Sequence, residues 1–596
     1  MQTALHSFHI PVMGLAFTID SPIKVARFGI SSVMSIIEDR LIEMMRKHYY
    51  GIINEKYIPI STHENDYRAK RITDYLNLVS RIVSEQIESL KTSAFKAGSD
   101  LNKYFEMLPT ESKLRELYYQ MIQSPLESEK LSLQNHLKSQ IIPGCIDVNI
   151  MTKLDGNSSG NSGVLKEDGT DAVSALRGYA LSNLSNSSII FSAGLNPRLF
   201  NYLEKFTAFD ATGWGAFNKK VVIKVSDYRS ALIQGKYLAK KGIWVSEFRI
   251  ESGLNCGGHA FATDGYLMGP ILEEFKNKRE ELITALHSIY SPAIKAKGKL
   301  TFDTPHPIMI TAQGGIGTAE ENELLLKHYG IDSTGWGTPF LLCAEATTVD
   351  DHTMKLLSQA TKSDITLSNN SPLGVRFHYL KGTTSENEKL TRIESGKPGS
   401  PCTEKHLAFN TEFTTEPICT ASHKYQRLKI DQLKSLNLSE EAFQKQLDAV
   451  YSKECLCVGL SNSASLEYNQ PFLKRLKSVT ICPGPNIAYF SEIVSLQEMV
   501  DHIYGRSNVI KGEGRPHMFI NELQLYLDYL KEQVEQAGED EKQIQYCVKF
   551  AENLISGINY YKEMEIEPTN ESIHLALEQG VIQINNLLEC FLIRQK

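Results

Sequence analysis

The sequence lacks three features that would each define a class of protein. None of its 596 residues belongs to an apolar run of the ~18 to 20 residues that a membrane-spanning helix needs. Long runs of lysine or arginine are also missing, and the formal net charge is −7. We therefore expect neither a membrane nor a nucleic acid as a partner. The ten cysteines include no C-x-x-C pair, so no strong zinc or redox signature is present.

The composition is that of an ordinary globular protein. Hydrophobic residues make up 42% of the chain and charged residues 22%, which argues against disorder. The chain is too long for one average domain, so a large barrel or sheet domain with additions is expected. The apolar segment 8–17 lacks a basic start and a small-residue cleavage site. It therefore predicts a first strand rather than a signal peptide, and a cytoplasmic protein.

Two glycine turns are the most informative feature of the chain. The apolar run that begins at Met309 continues into Gln313-Gly314-Gly315-Ile316-Gly317-Thr318 and then a helix, and Gly335-Trp336-Gly337-Thr338 follows shortly afterwards. Such turns leave backbone N–H groups exposed, and a helix N-terminus adds a favourable dipole for phosphate. Either turn alone could simply connect a strand to a helix. Together they predict a cradle for one phosphate.

The hydrophobic pattern predicts an α/β fold, a TIM (β/α)8 barrel. Short apolar runs, typical of strands, alternate with helical patterns such as 230–241, and they occur at 10–16, 30–34, 145–151, 188–192, 221–225, 243–246 and 308–312. Residues from about 38 to 140 are helical in pattern and predict an insertion. The Gly-, Ser- and Asn-rich segment 155–163 predicts an exposed loop. A doubly wound sheet is the competing fold, but its phosphate turn usually follows the first strand.

A histidine follows one of the predicted strands closely. His259 stands behind Gly257 and Gly258, in the segment that begins at Glu251. An isolated histidine usually hydrogen-bonds a loop carbonyl. At the C-terminal face of a barrel, however, it is placed to act as a general base near neutral pH.

These segments, in this order, resemble nitronate monooxygenases, formerly called 2-nitropropane dioxygenases. The superfamily includes flavin-dependent enoyl reductases of fatty acid and polyunsaturated fatty acid synthesis, which the chain also resembles. The resemblance covers roughly residues 8 to 375 and is carried by 11–16, 148–151, 222–225, 251–259, 313–316 and 337–340. Its most specific parts are Gly257-Gly258-His259 and the two glycine turns.

The resemblance implies a barrel that binds FMN. Gly314, Gly315, Gly337 and Thr338 would hold the phosphate, and Met13 and Gly14 would back the flavin ring. Asn149 and Lys224 would approach the ring, with Lys224 stabilising negative charge on the reduced flavin; a solvated lysine at a strand end is the alternative. The other cofactor-binding residues that the resemblance implies are Glu251, Gly257, Gly258 and Gln313.

The resemblance implies an enzyme that acts on a small carbon acid. His259 would deprotonate a substrate such as an alkyl nitronate, FMN would take the electrons and oxygen would reoxidise it. One alternative is an enoyl reductase fed by NAD(P)H or by an electron-donor protein, with His259 as the acid. Another is a flavin-binding assembly module without chemistry. Cys256, beside the glycine pair, is either a reactive thiol or a small buried side chain.

A second set of cysteines lies beyond the predicted barrel. Cys402 is followed by Cys419, Cys455, Cys457 and Cys482, several of them next to proline or glycine. Loops of this kind suit an iron–sulfur cluster or a zinc ion, with Cys419, Cys455, Cys457 and Cys482 as candidate ligands. Cysteines packed in a core without an ion are the equally weighted alternative. A cluster would favour a reductase fed by a partner protein.

The pattern divides the chain into three parts. Residues 1–380 form the predicted FMN-binding barrel with its insertion, and residues 381–515 form an extension that contains the cysteines. Residues 516–596 return to helical periodicity, with apolar positions three and four apart. We expect these C-terminal helices to pack against the barrel or another subunit, where they could cover the active face.

Overall fold

The computed structural model of the protein describes residues 5–151, 169–192, 194–471, 476–510, 514–564 and 571–594. The segment 155–163, predicted as an exposed loop, lies outside the described residues. No described helix is both long and apolar enough to pass through a lipid bilayer.

Eight parallel strands close into a ring in which each pairs with its neighbours in sequence, and the last pairs with the first. The strands are β1 (Phe8–Ile10), β2 (Ser31–Ser35), β3 (Ile146–Ile150), β4 (Ser187–Phe191), β5 (Lys219–Val225), β6 (Val245–Glu251), β7 (Met309–Gln313) and β8 (Ser333–Gly335). The predicted (β/α)8 barrel is confirmed. A parallel barrel gathers the C-terminal ends of all its strands on one face.

Two strands differ from the sequence prediction. The run at 10–16 was predicted as a strand, but β1 ends at Ile10. Pro11 has no N–H to donate to a ladder, and Gly14 has a positive φ of 52°. Residues after Ile10 therefore turn across the C-terminal face of the barrel. β8 has only three residues, and its last residue, Gly335, is the first residue of the second glycine turn.

The helices on the outside of the barrel alternate with its strands. Their ranges are Ser21–Val25, Asp171–Leu181, Pro197–Tyr202, Tyr228–Lys240, Met268–Ala296, Ala319–Lys327 and Asp351–Ser358. The helix Asp171–Leu181 shows how closely they pack, since a Cβ atom on Gly178 would lie 2.8 Å from Cβ of Ile72. Glycine at that position lets two helices approach each other.

The predicted helical insertion lies between β2 and β3. It contains the helices Asp39–Ile52, Tyr67–Thr92, Asp100–Glu106, Lys113–Gln123 and Glu127–Ser139, and the described residues there include no strand. Buried positions in Tyr67–Thr92, such as Ile72, Leu76, Val79 and Val83, recur at spacings of three and four. This apolar stripe packs against the barrel helix Asp171–Leu181.

Residues after the barrel form a mixed layer over it. A hairpin of Ile365–Ser368 and Arg376–Leu380 pairs with the short strand His259–Ala260. A second small sheet, Ala211–Gly213 with Ala216–Phe217, lies elsewhere on the barrel. The helices that follow the hairpin are Thr384–Glu394, His423–Ser435, Glu440–Ser452, Leu456–Gly459, Asn462–Glu467 and Leu496–Ile503.

Three helices end the described chain: Met518–Ala537, Glu541–Met564 and Glu571–Arg594. They pack on one another and on the barrel, in agreement with the sequence pattern. Tyr561 accepts a hydrogen bond from the backbone of Gly269 at 3.0 Å, and Asn553 donates to the carbonyl of Asp264 at 2.8 Å. The C-terminal helices therefore support the loop that follows β6.

Candidate active site

A cavity of about 280 Å³ lies at the C-terminal ends of the barrel strands. Its position is the one at which barrel enzymes carry their active sites. It is lined by His259 and by every residue that the resemblance implies for the cofactor: Met13, Gly14, Asn149, Lys224, Glu251, Gly257, Gly258, Gln313, Gly314, Gly315, Gly337 and Thr338. Residues spread over most of the barrel sequence thus share one space.

The first glycine turn directly follows β7 and requires glycine for two reasons. Gly314 and Gly315 have φ angles of 115° and 78°, in the region that disfavours side chains. A Cβ atom on Gly315 would also lie 1.9 Å from Nδ2 of Asn255. Within the described part of the chain, the N–H groups of Gly314 and Gly315 have no hydrogen-bond partner. Two backbone donors at the rim of the cavity therefore remain available to a ligand.

The helix N-terminus after this turn differs from the sequence prediction. The carboxylate of Glu321 accepts hydrogen bonds from the N–H groups of Gly317 and Thr318, at 2.8 and 3.3 Å. Arg515 pairs with the same carboxylate at 2.7 Å. Burial is the largest single effect and acts to raise the pKa of Glu321. The charges of Arg515 and His517 and the hydrogen bonds from Arg515 and Gly317 together outweigh it, so the pKa is lowered. An anionic side chain thus already occupies the helix end, leaving only the preceding glycines as candidate phosphate donors.

The second glycine turn reaches the same cavity from β8. Gly337 and Thr338 line it, and a Cβ atom on Gly337 would lie 3.2 Å from the ring of Pro11. The hydroxyl oxygen of Thr338 accepts a hydrogen bond from the N–H of Gly484 at 3.1 Å. The turn is therefore held between the first barrel loop and a segment that follows the barrel.

A polar chain crosses the floor of the cavity from β5 to β7. The ammonium of Lys224 lies 3.2 Å from Oε1 of Glu251, which also accepts a hydrogen bond from Gln313 at 2.7 Å. The side-chain oxygens Oδ1 of Asn149 and Oε1 of Gln313 are buried without a hydrogen-bond partner. Buried polar atoms are rarely left unpaired, so these two oxygens suit a ligand that carries N–H donors.

His259 begins the short strand that pairs with the hairpin. Its Nε2 atom lies 2.7 Å from Oγ of Ser371, and its ring meets the edge of Phe377 at a centroid distance of 5.2 Å. Oγ of Ser371 accepts a hydrogen bond from the N–H of Leu373 at 3.3 Å, which leaves its proton free to be donated to the imidazole. The ring is thereby held at the cavity by two contacts from the hairpin.

The loop that carries His259 is also held from the C-terminal helices. Oε1 of Glu522 accepts a hydrogen bond from Ser252 at 2.5 Å, and Oε2 accepts one from the N–H of Met268 at 2.9 Å. Asn521 donates to Asn255 at 2.8 Å. Burial raises the pKa of Glu522 to about 7. A buried carboxyl group whose pKa is close to 7 thus holds both ends of this loop.

Part of the cavity wall comes from residues after the barrel. Apolar side chains dominate it, namely Leu407, Leu456, Leu460, Ile481 and Pro483. The carbonyl of Leu460 accepts a hydrogen bond from the N–H of Ala16 at 3.0 Å. The carbonyl of Cys482 accepts one from the N–H of Gly258 at 3.1 Å. Backbone pairing with two barrel loops therefore seats this wall over the strand ends.

The four cysteines predicted as metal ligands do not meet as one set. Cys482 lines the main cavity, Cys419 and Cys455 line a small neighbouring cavity, and Cys457 lines both. Among the described residues, no group of three or more cysteines has its sulfur atoms within 4.8 Å of one another. The structure therefore offers no ligand geometry for a single zinc ion held by these cysteines, and an iron–sulfur cluster stays a prediction.

The thiols at the main cavity are neutral. Burial raises the pKa of Cys482 to about 12 and also raises the pKa of Cys256, whose sulfur donates to the carbonyl of Gln313 at 3.5 Å. Nucleophilic attack needs a thiolate. Cys256 accordingly has the small, buried role that the sequence left open, rather than that of a reactive thiol.

Several residues of this site escape sequence reasoning. Ser371 and Glu522 lie far along the chain from the loop they hold, and no local pattern marks them. The capping of the helix Ala319–Lys327 does have a signal, since Thr318 and Glu321 are spaced as in a capping box. That spacing predicts a carboxylate at the helix end.

Fold and site together define a parallel (β/α)8 barrel with a ligand cavity at its C-terminal face. Neither a model of a known protein family nor a curated protein sequence matches the chain. Solved structures that are similar to it include two chains that it matches over about two thirds of its own length. The enoyl reductase domain of MlnA, from the macrolactin biosynthesis cluster of Bacillus amyloliquefaciens, has 15% identity and a TM-score of 0.33, covering 68% of this chain and 90% of that one.

The second similar structure is nitroalkane oxidase from Streptomyces ansochromogenes. It has 10% identity and a TM-score of 0.27, and the match covers 69% of this chain and 93% of that one. At these scores the likeness carries no argument about activity, which has to come from the site.

Proposed function

We propose that the protein is an FMN-dependent oxidoreductase in which His259 exchanges a proton with a carbon atom of the substrate. One observation carries the proposal: a single cavity at the strand ends collects two glycine turns, a lysine and a histidine. The glycines offer backbone donors, the lysine offers positive charge and the imidazole offers a proton acceptor. Each group matches a different part of a flavin reaction.

The cofactor fits the polar groups that the cavity leaves unpaired. Gly314 and Gly315 would bind the phosphate through their free N–H groups, together with Gly337 and Thr338 of the second turn. The unpaired oxygen of Asn149 suits the ring N–H of a flavin, and Lys224 supplies positive charge nearby. Bound FMN supplies the capacity to accept or donate two electrons.

His259 would accept the proton from the substrate carbon or donate one to it. With Ser371 donating to Nε2, the neutral imidazole carries its own proton on Nδ1. For Nε2 to take a proton from carbon, the imidazole has to exchange its contact with Ser371 for one with the substrate. The apolar wall excludes water from this side of the cavity and strengthens the electrostatic interactions within it.

The first candidate substrate is a carbon acid such as a nitroalkane, from which His259 would take the α-proton, or the alkyl nitronate that this deprotonation gives, with oxygen as electron acceptor. The resemblance to nitronate monooxygenases favours this reaction, and so does the presence of a base at the cavity. Lys224 would stabilise the negative charge that the flavin would gain as the substrate is oxidised.

A specific observation favours a second candidate, a reductase of an activated carbon–carbon double bond. Five apolar side chains form one wall of the cavity, more than a small nitronate needs. A hydrocarbon chain would find buried surface there. In this reaction His259 would return a proton to carbon, and NAD(P)H or a donor protein would supply electrons.

One experiment tests the proposal and separates the two candidates. The protein is purified anaerobically, loaded with FMN and mixed with NADPH, NADH or propionate nitronate while the flavin absorbance is followed. Bleaching by the nitronate supports the first candidate, and bleaching by a pyridine nucleotide alone supports the second. Protein that stays colourless after reconstitution with FMN would overturn the proposal and favour the assembly module.

A further inference from the structure

A second group of side chains with ligand chemistry lies beside the main cavity. It consists of Glu38, directly after β2, and of Glu404 and His406 from the segment that follows the barrel. One ligand atom from each of the three lies within 4.8 Å of the other two. Glu38 and His406 are 3% and 7% exposed, so the group is buried.

The buried atoms of this group lack the partners that burial demands. Oε2 of Glu38 and Nε2 of His406 have no hydrogen-bond partner. Nε2 of His406 lies 4.0 Å from Oε1 of Glu38, too far for a hydrogen bond. Oε1 of Glu38 already accepts from the N–H of Arg40 at 3.1 Å, so Oε2 is the oxygen that remains. An imidazole nitrogen and a carboxylate oxygen thus lie close together, each without a hydrogen-bond partner among the described residues.

The charged side chains around this group would orient its histidine, and most of them are paired with one another. Asp171 lies 3.7 Å from Nδ1 of His406, on the other side of the ring, where a carboxylate orients a metal-bound histidine. Asp171 pairs with Arg68 at 3.0 Å, and Asp39 pairs with Arg71 at 2.6 Å. These two carboxylates therefore have arginine partners, and so does Glu404, which pairs with Arg40 at 3.1 Å. Among the described residues, no lysine or arginine pairs with Glu38, whose carboxylate lies 4.0 Å from His406.

We propose that Glu38, Glu404 and His406 bind a divalent transition-metal ion of the zinc and manganese type. Two carboxylates and one imidazole are ligands that such ions share, and water would complete the coordination. Mg²⁺ fits less well because it favours oxygen ligands alone. The site is independent of the flavin proposal, since none of its three residues lines the main cavity.

The ion would fasten the wall of the cavity to the barrel. Glu38 belongs to the loop after a barrel strand, whereas Glu404 and His406 belong to the added segment. Leu407, the next residue, lines the main cavity. Coordination would therefore fix the position of a wall residue relative to the strand ends, and binding to the folded state alone would stabilise the protein.

Metal analysis of the full-length protein tests the site. We expect about one equivalent of Zn²⁺ or Mn²⁺ after dialysis against the ion and then against metal-free buffer, and a lower Tm after chelation by EDTA. His406→Ala and Glu38→Gln should each weaken binding roughly 100-fold or more, since they remove a ligand. His136→Gln, on an exposed helix of the insertion, is the matched control and should bind like the unaltered protein.

Three results would overturn the site: wild-type protein that retains no ion, a Tm that does not respond to Zn²⁺ or EDTA, or His406→Ala that binds as wild type does. The first is expected if His406 is simply protonated between its neighbouring carboxylates. If the variants do not fold, Co²⁺ added to wild-type protein still decides. A visible band with the intensity of a nitrogen- and oxygen-ligated ion supports the site, and the spectrum of aqueous Co²⁺ contradicts it.

Discussion

His259 and Ser371 are 112 positions apart in the sequence, yet Nε2 of the one lies 2.7 Å from Oγ of the other. The histidine comes from the loop after β6, and the serine comes from the hairpin that pairs with that loop. Their contact fixes which ring nitrogen faces the serine. The proton chemistry of the cavity therefore depends on the hairpin as well as on the barrel.

Replacing His259 removes the proposed acid or base. We expect His259→Gln to lower kcat by a factor of roughly 10² to 10⁴ while FMN still binds, because general acid–base catalysis contributes that range. Steady-state kinetics and the visible spectrum of the variant measure the two effects. Unchanged turnover with intact flavin would remove His259 from the mechanism.

Removing the Ser371 hydroxyl should have a smaller effect of a different kind. Ser371→Ala removes the hydrogen bond that orients the imidazole, but proton transfer has to break the same bond, so we expect kcat to change by no more than about 10-fold, the value of one such bond. The acid limb of the pH–rate profile should also move, because the proton affinity of Nε2 changes. Ser371→Thr retains a hydroxyl and should restore both. A profile identical to that of wild type would argue against this positioning role.

Lys224 should matter for the cofactor rather than for folding. Lys224→Met removes the positive charge beside Glu251, so we expect FMN to bind roughly 10-fold more weakly or worse and its midpoint potential to fall. Lys220→Met is the control, since Lys220 lies at the other end of β5 and bonds Asn186 at 2.8 Å. Equal flavin affinity in the two variants would place Lys224 outside the cofactor site.

Gly315 and Gly330 separate steric fit from backbone strain. Both have positive φ angles, 78° and 65°, so alanine strains either position. A Cβ atom on Gly315 would also overlap Asn255. Apart from the chain neighbours of Gly330, no described atom would lie within 4 Å of a Cβ there. We expect Gly315→Ala to lower the free energy of unfolding by about 2–4 kcal/mol, and Gly330→Ala by about 1–2 kcal/mol. Denaturant titration measures both, and equal losses would show that the contact with Asn255 relaxes freely.

Glu522 gives the protein a pH-dependent stability. Burial raises its pKa from 4.5 to about 7, so the folded state holds the proton more tightly than the unfolded state does. The contribution to stability is full below pH 4.5 and is lost as pH rises through about 7, by roughly 3 kcal/mol. Glu522→Gln mimics the protonated group and should remove this slope, whereas Glu535→Gln, exposed on the same helix, should keep it. Urea titrations between pH 4.5 and 8 measure the slopes.

Much of the barrel and its cavity can be predicted from the sequence, because the evidence for them is local. A buried parallel strand appears in the sequence as an apolar run. Residues near the end of such a run can then be assigned to the rim of the barrel, as Lys224 can near the end of β5. β8 escaped prediction because three residues between glycines give no periodic signal. Ser371 and Glu522 escaped because their contacts join segments that only the fold brings together. Metal binding by the cysteines stays a prediction, because closeness in sequence does not set the distance between sulfur atoms.

The apolar wall over the cavity has a consequence for how the protein is made. On the ribosome, all eight strands emerge before Leu456, Ile481 and Pro483 do. The barrel can therefore close while its two glycine turns are still exposed to solvent in an uncovered cavity. Any ligand captured at that stage is enclosed only when later chain folds back and its carbonyl groups meet the N–H groups of Ala16 and Gly258.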